Sequence, residues 1–206
     1  MGNTLGMIGV SAGVVSAFAN TAPAVMPQLA GALVGGGALG YAIQSKVGPS
    51  ELPQTVAAFH SLVGLAAVGT AVGDYGTFLA DPAAHQMDAV HSTGIYLADF
   101  IGGVTFTGSI VAFGKLHGLS GRIFESTPLA LENRDQINAG LAGVSGLGLV
   151  AFVGAPESSL AGAALATTTV SSGILGAHMT ASIGGLCLGR GGANKLRRVS
   201  LESRPS

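Results

Sequence analysis

The sequence predicts an all-α protein, a polytopic transmembrane helical bundle of about six membrane-spanning helices. Three observations carry this. Asp, Glu, Lys and Arg make up only 9% of the 206 residues, against about 25% in an ordinary soluble domain. Hydrophobic residues reach 48%, leaving too few polar groups to cover a soluble surface. The charges also cluster, leaving long charge-free runs, and a helix needs roughly 20 apolar residues to cross a bilayer.

The spans follow in chain order. Residues 1–45 carry no charge, which is room for two helices, near 4–20 and 25–43. Asn20-Thr21-Ala22-Pro23 supplies the turn between them. A third span, near 53–73, holds His60 as its one ionisable group. A fourth, near 93–114, is interrupted only by Asp99. The runs 136–156 and 158–189 give a fifth span near 138–154 and a sixth near 160–182, the last carrying His178.

The basic residues check this count independently. Lys46 follows span two, Lys115, Arg122 and Arg134 follow span four, and Arg190, Lys195, Arg197, Arg198 and Arg204 follow span six. The loops after spans one, three and five hold instead Asp74, Asp81, Asp88 and Glu157. All nine basic residues therefore fall on one side of a six-span arrangement. The positive-inside rule makes that side the cytoplasm or matrix, with both termini there.

Composition excludes other classes. A net charge of −1 offers no basic field for nucleic acid. Cys187 is the single cysteine, and no Cys/His cluster has zinc-ligand spacing. No Lys or Arg precedes Lys46, so no secretory n-region is expected. Gly6 stands where a myristoylation pattern needs Ser or Thr. Gly35-Gly36-Gly37-Ala38-Leu39-Gly40 satisfies G-x-G-x-x-G, but a dinucleotide site needs a preceding strand and a βαβ unit, and this motif lies inside an apolar span. The 34 glycines have another use. Gly31-x-x-x-Gly35, Gly36-x-x-x-Gly40, and Gly102, Gly103 and Gly108 would let helices approach closely in lipid, unless glycine is simply frequent in membrane helices.

Ionisable groups at membrane depth are functional candidates by default. His60 is the sharpest, since burial and hydrogen bonding pull a histidine in opposite directions across neutral pH. It reads equally as a proton relay or as a neutral side chain bonded to a neighbouring helix's carbonyl. On span four, Thr105 and Ser109 share one face while Thr107 points elsewhere. Their hydroxyls could relay protons or bond back to their own helix. Asp99 is expected at the interface rather than in the interior. His178 is a second candidate, and His85, His91 and His117 are expected in solvated positions.

Two blocks carry a resemblance. Leu52-Pro53-Gln54 with Val56-Ala57-Ala58-Phe59-His60-Ser61-Leu62-Val63-Gly64, and Ile101-Gly102-Gly103-Val104-Thr105-Phe106-Thr107-Gly108-Ser109-Ile110-Val111-Ala112-Phe113-Gly114-Lys115-Leu116, resemble the membrane domain of proton-translocating NAD(P)+ transhydrogenases. A looser likeness continues through Thr127-Pro128-Leu129, Asn138 and Thr180-Ala181-Ser182-Ile183-Gly184-Gly185, and the whole looks closest to mitochondrial-type members. The resemblance implies hydride transfer from NADH to NADP+ coupled to inward proton movement. It makes His60 the membrane histidine of the proton path, with Ser109 near it; Thr105, on the Ser109 face, is a weaker candidate for the same path.

It also implies that residues 1–185 form the proton-conducting domain and bind no cofactor, with NAD(H) and NADP(H) held by domains outside this chain. After Gly185 the family continues Ala-Asp-Met-Pro. Here the chain reads Leu186-Cys187-Leu188-Gly189-Arg190 and ends in a basic tail, 186–206, so a fragment is expected. That tail is expected to be disordered, and its Arg197-Arg198-Val199-Ser200 resembles a basophilic kinase site. No metal or catalytic residue is expected. The expected partners are the lipid bilayer, the nucleotide-binding domains or subunits, and a second copy in a homodimer. The expected location is the mitochondrial inner membrane or the bacterial plasma membrane. A silent membrane scaffold and a small stand-alone channel or carrier are the alternatives.

Overall fold

The computed structural model describes residues 2–184, and the basic tail with its serine motif lies outside them. Six long helices make up the described chain: α1 (Gly2–Ala19), α2 (Met26–Gln44), α3 (Leu52–Ala80), α4 (Ala89–His117), α5 (Arg134–Gly154) and α6 (Ser159–Ala181). No strand occurs among the described residues. All but α2 are long and apolar enough to cross a membrane. In α2, Pro27, Gln28 and five glycines dilute the apolar residues.

Helices α1, α2, α5 and α6 cover the expected segments to within a few residues, though α2 falls short of the apolar content of a span, and α3 and α4 run further. Each has 29 residues, about 43 Å at 1.5 Å per residue, against a hydrocarbon core of about 30 Å. A carboxylate does not stop such a helix when it finds a partner: Asp74 Oδ2 lies 2.9 Å from His91 Nε2 on α4. What ends the helices is capping. Asp88 accepts a hydrogen bond from the His91 backbone N–H at 2.8 Å to start α4, and Gly118, at φ 76°, takes the left-handed turn that closes it. Ser158 starts α6 in the same way, accepting from the Ala161 N–H at 3.2 Å.

The chain divides into two compact units, residues 1–48 and 49 onward. In the first, α1 turns into α2 where expected. Asn20 Nδ2 donates to the Ser16 carbonyl at 2.8 Å, Thr21 Oγ1 to the Ala17 carbonyl at 2.6 Å, and Pro23–Val25 form a single 3-10 turn.

In the second unit, α3 to α6 run alternately up and down. His117 at the end of α4 meets Gln54 at the start of α3 at 3.3 Å. Leu129, ahead of α5, donates its N–H to the Ala181 carbonyl at the end of α6 at 3.0 Å. At the opposite end, Tyr75 donates to the Pro156 carbonyl between α5 and α6 at 3.0 Å. Lys115, Arg122 and Arg134 thus share one end of this unit, while Asp74, Asp81, Asp88 and Glu157 share the other. We call these the basic and acidic ends, because the Lys and Arg residues described in this unit all lie at the first, together with Glu51, Glu125, Glu132 and Asp135.

Glycine sets the helix spacing in this unit. A Cβ on Gly64 of α3 would lie 2.5 Å from the Phe106 nitrogen and 2.7 Å from the Gly102 carbonyl oxygen of α4. Both are backbone atoms and cannot give way, so a methyl here would push the helices apart. On the other side of α4, a Cβ on Gly103 would strike Ser172 Oγ, and one on Gly176 would lie 2.6 Å from Thr107 Oγ1. The glycines expected to pack on span four do so. A Cβ at Gly31, Gly35, Gly36, Gly37 or Gly40 of α2 would meet nothing within 4 Å. Towards the acidic end, Tyr75, Phe78, Ile95, Tyr96, Phe152 and Leu165 form the apolar core. Phe152 is held between Tyr75 and Tyr96, with ring centroids 5.0 and 5.5 Å apart.

Candidate functional site

His60 lies on the third turn of α3 and is exposed on that helix. Its Nδ1 is 3.0 Å from the Val56 carbonyl oxygen, four residues back. A carbonyl only accepts, so Nδ1 carries the hydrogen and the neutral ring keeps its lone pair on Nε2. The carbonyl that binds His60 belongs to its own helix, not to a neighbouring one.

Gly64, one turn further along α3, packs on Gly102 and Phe106. Thr105 and Ser109 are half-buried on α4, and neither makes a hydrogen bond to His60 among the described residues. Thr107 faces α6, donating to the Gly173 carbonyl at 2.6 Å, so it does point away from the Thr105–Ser109 face. His178 sits between α6 and α5, its Nδ1 donating to Asn138 Oδ1 at 2.7 Å. His85, His91 and His117 are exposed, as expected.

Asp99 departs from expectation. It is 0% exposed, not interfacial. The reason is helix length: α4 begins at Ala89, which sets Asp99 in its third turn and turns it towards α6. There Thr169 Oγ1 lies 2.9 and 3.0 Å from its two carboxylate oxygens. Around it runs a seam of hydroxyls between α4, α5 and α6. Tyr96 donates to the Ser145 carbonyl at 2.7 Å and shares a hydrogen bond with Thr168. Ser145 Oγ lies 2.9 Å from Ser171 Oγ. Composition hid this seam, because Ala166-Thr167-Thr168-Thr169-Val170-Ser171-Ser172 carries no charge. Thr168, Ser171 and Ser172 are all buried.

Lys115 is a second correction. Instead of following span four as a loop residue, it lies in the last turn of α4 and is 2% exposed. Its Nζ donates to the carbonyls of Glu125, Ala181 and Ile183, each at 3.0 Å. The last two are carbonyls at the C-terminal end of α6, where a helix has acceptors without intrahelical donors and a favourable field for a cation.

The one G-x-G-x-x-G stretch, 35–40, is helical throughout within α2, so no turn exists to cradle a pyrophosphate. Among the described residues no group of three or more His, Cys, Asp or Glu side chains could hold a metal ion.

The sequence family described as NAD(P) transhydrogenase beta subunit matches residues 1–188. Two curated Rhodospirillum rubrum proteins, each named NAD(P) transhydrogenase subunit beta, are 39% identical to the chain over 124 residues. That stretch covers 57% of this chain and 26% of each relative, so the likeness spans about a quarter of their length.

Proposed function

We propose a function from one premise: the chain belongs to the NAD(P) transhydrogenase beta-subunit family. It is the membrane part of an assembly that couples hydride transfer from NADH to NADP+ with inward proton movement. The observation that carries this reading is the family match across all six described helices, five of them fit to cross a membrane. The redox chemistry belongs to nucleotide-binding domains outside the described residues. These reside on further chain or partner subunits, and the whole assembles as a homodimer in the mitochondrial inner membrane or the bacterial plasma membrane.

Within this reading His60 carries the proton. Its Nδ1 is committed to the Val56 carbonyl at 3.0 Å, which leaves Nε2 to pick up and give back one hydrogen without rebuilding the helix. Thr105 and Ser109, on the α4 segment that packs on this part of α3, supply hydroxyls to the same path. Gly64 and Gly102 bring the two helices into backbone contact beside this path. The gathering of Lys115, Arg122 and Arg134 at one end of the second unit supports an orientation with that end on the matrix or cytoplasmic side. One proton crossing the bilayer is worth about 2.3 kcal/mol per 100 mV, enough to bias hydride transfer between cofactors of similar potential.

The test is hydride transfer with NADH and an NADP+ analogue. The purified chain alone should give no turnover above a heat-killed control. Adding the nucleotide-binding partner should restore it in a detergent-solubilised assembly that contains this chain. Turnover by the chain alone, or an active assembly from which this chain can be omitted, would overturn the assignment.

A further inference from the structure

We propose that Asp99 is a second proton-binding station at membrane depth, set against α6 and separate from His60; this deepens the reading above and rests on it. The two groups occupy different places. Asp99 lies about 15 Å from the acidic end along α4, and His60 about 12 Å from the basic end along α3, at 1.5 Å per residue. Gly102 and Phe106 of α4 face α3, while Asp99, Gly103 and Thr107 face α6.

The hydrogen count at Asp99 makes it a two-state device. Thr169 has one hydroxyl hydrogen and three acceptors within reach: both Asp99 oxygens, at 2.9 and 3.0 Å, and the Leu165 carbonyl, at 3.1 Å. When Asp99 is ionised, Thr169 must give that hydrogen to the carboxylate. When the carboxylate takes a proton, forming one O–H bond and losing its charge, the new O–H donates to Thr169 Oγ1. Thr169 then turns its own hydrogen to the Leu165 carbonyl. One hydrogen bond joins Asp99 and Thr169 in both states, so the proton binds and leaves by reversing it. A carboxylate kept permanently ionised in the bilayer interior would call for a fixed cation. The described residues offer none here. Of the titratable groups around it, Tyr96 lies on its own helix and Tyr75 on α3. Asp74 on α3 is occupied by His91 at 2.9 Å. At this level α5 and α6 present Ser145, Thr168, Thr169, Ser171 and Ser172, with His178 nine residues further along α6.

The seam suits a mobile proton better than a metal cation. Alkali ions need several oxygen ligands, and here one carboxylate and one threonine hydroxyl converge. The adjoining hydroxyls of Tyr96, Thr168, Ser145 and Ser171 already bond one another and backbone carbonyls.

Two measurements test this. The first is pH-difference infrared spectroscopy on the chain in lipid, comparing wild type with Asp99→Asn. A protonated-carboxyl carbonyl band should grow as pH falls in the wild type, be missing in Asp99→Asn, and shift in frequency in Thr169→Val. Identical wild-type and Asp99→Asn difference spectra would overturn the proposal, as would a band that responds to sodium at fixed pH. Thr169→Val keeps the carboxyl, so if Asp99→Asn fails to fold, an unshifted band in Thr169→Val overturns it equally.

The second is coupled proton pumping by the intact assembly in liposomes. Asp99→Asn should pump about tenfold more slowly or worse, with Asp99→Glu recovering part of the rate. Parental pumping by a folded Asp99→Asn assembly would overturn the station and leave the transhydrogenase reading intact. A wild-type assembly that transfers hydride without pumping would overturn the coupling instead, and the infrared band would still decide Asp99.

Discussion

His60→Ala, in the intact transhydrogenase assembly that contains this chain, is expected to reduce coupled proton pumping on the order of a hundredfold. The hydride transfer that depends on pumping should fall with it. His60 is the one ionisable side chain between residues 52 and 73, and it lies about 12 Å along α3 from that helix's start at 1.5 Å per residue. Its Nδ1 hydrogen is held by the Val56 carbonyl, so proton exchange is directed to Nε2. Alanine removes both nitrogens. Asparagine nearly matches histidine in size and keeps a donor for Val56, but it cannot titrate. His60→Asn should therefore keep parental thermal stability and still lose pumping across pH 6 to 8. A folded His60→Asn assembly that pumps at the parental rate would make the histidine structural.

Lys115→Met should have the largest effect on stability. The Lys115 ammonium is buried and satisfies carbonyls from three separate residues, two of them at the end of α6. Hydrogen bonds to a charged group contribute about 1.5–3 kcal/mol each, and a buried carbonyl left without its donor costs about 1–3 kcal/mol. Methionine fills the same space with no donor. Part of the loss is offset because no ammonium then has to be desolvated, and the Ala181 carbonyl keeps its bond from Leu129. A net loss of about 2–4 kcal/mol follows, to be read as a lower unfolding midpoint in detergent. Lys115→Arg should fall between the two. Unchanged stability in Lys115→Met would show that the three contacts contribute nothing net.

The helices were legible because charge and hydropathy decide where a chain can cross a bilayer. The first turn of the chain, at Asn20 to Pro23, and the alternation of basic and acidic connections needed nothing else. The ends of α3 and α4 were not legible. Asp74 looks like the end of a span until His91 is seen opposite it, and that pairing joins residues 17 positions apart.

The site divides in the same way. His60 announces itself as a lone ionisable group. Asp99 and Lys115 were visible as charges but not as interior groups, because their partners are a hydroxyl and backbone carbonyls 70 and up to 68 residues away. The threonines and serines of α6 carried no signal at all, since a hydroxyl that bonds its own helix and one that meets Tyr96 are written with the same letter. The glycines separate only by what lies opposite: Gly102 and Gly103 have neighbours at backbone distance, whereas those of α2 have none within 4 Å.

The most direct measurement is of proton movement itself. The assembly containing this chain should be sealed into liposomes with a pH-sensitive dye inside, and NADH and an NADP+ analogue added to the nucleotide-binding side. Hydride transfer should then shift the dye signal in proportion to turnover, and an uncoupler should abolish the shift while speeding turnover. Hydride transfer at an undiminished rate with no dye response, and no stimulation by uncoupler, would contradict the assignment of this chain as the proton-conducting part.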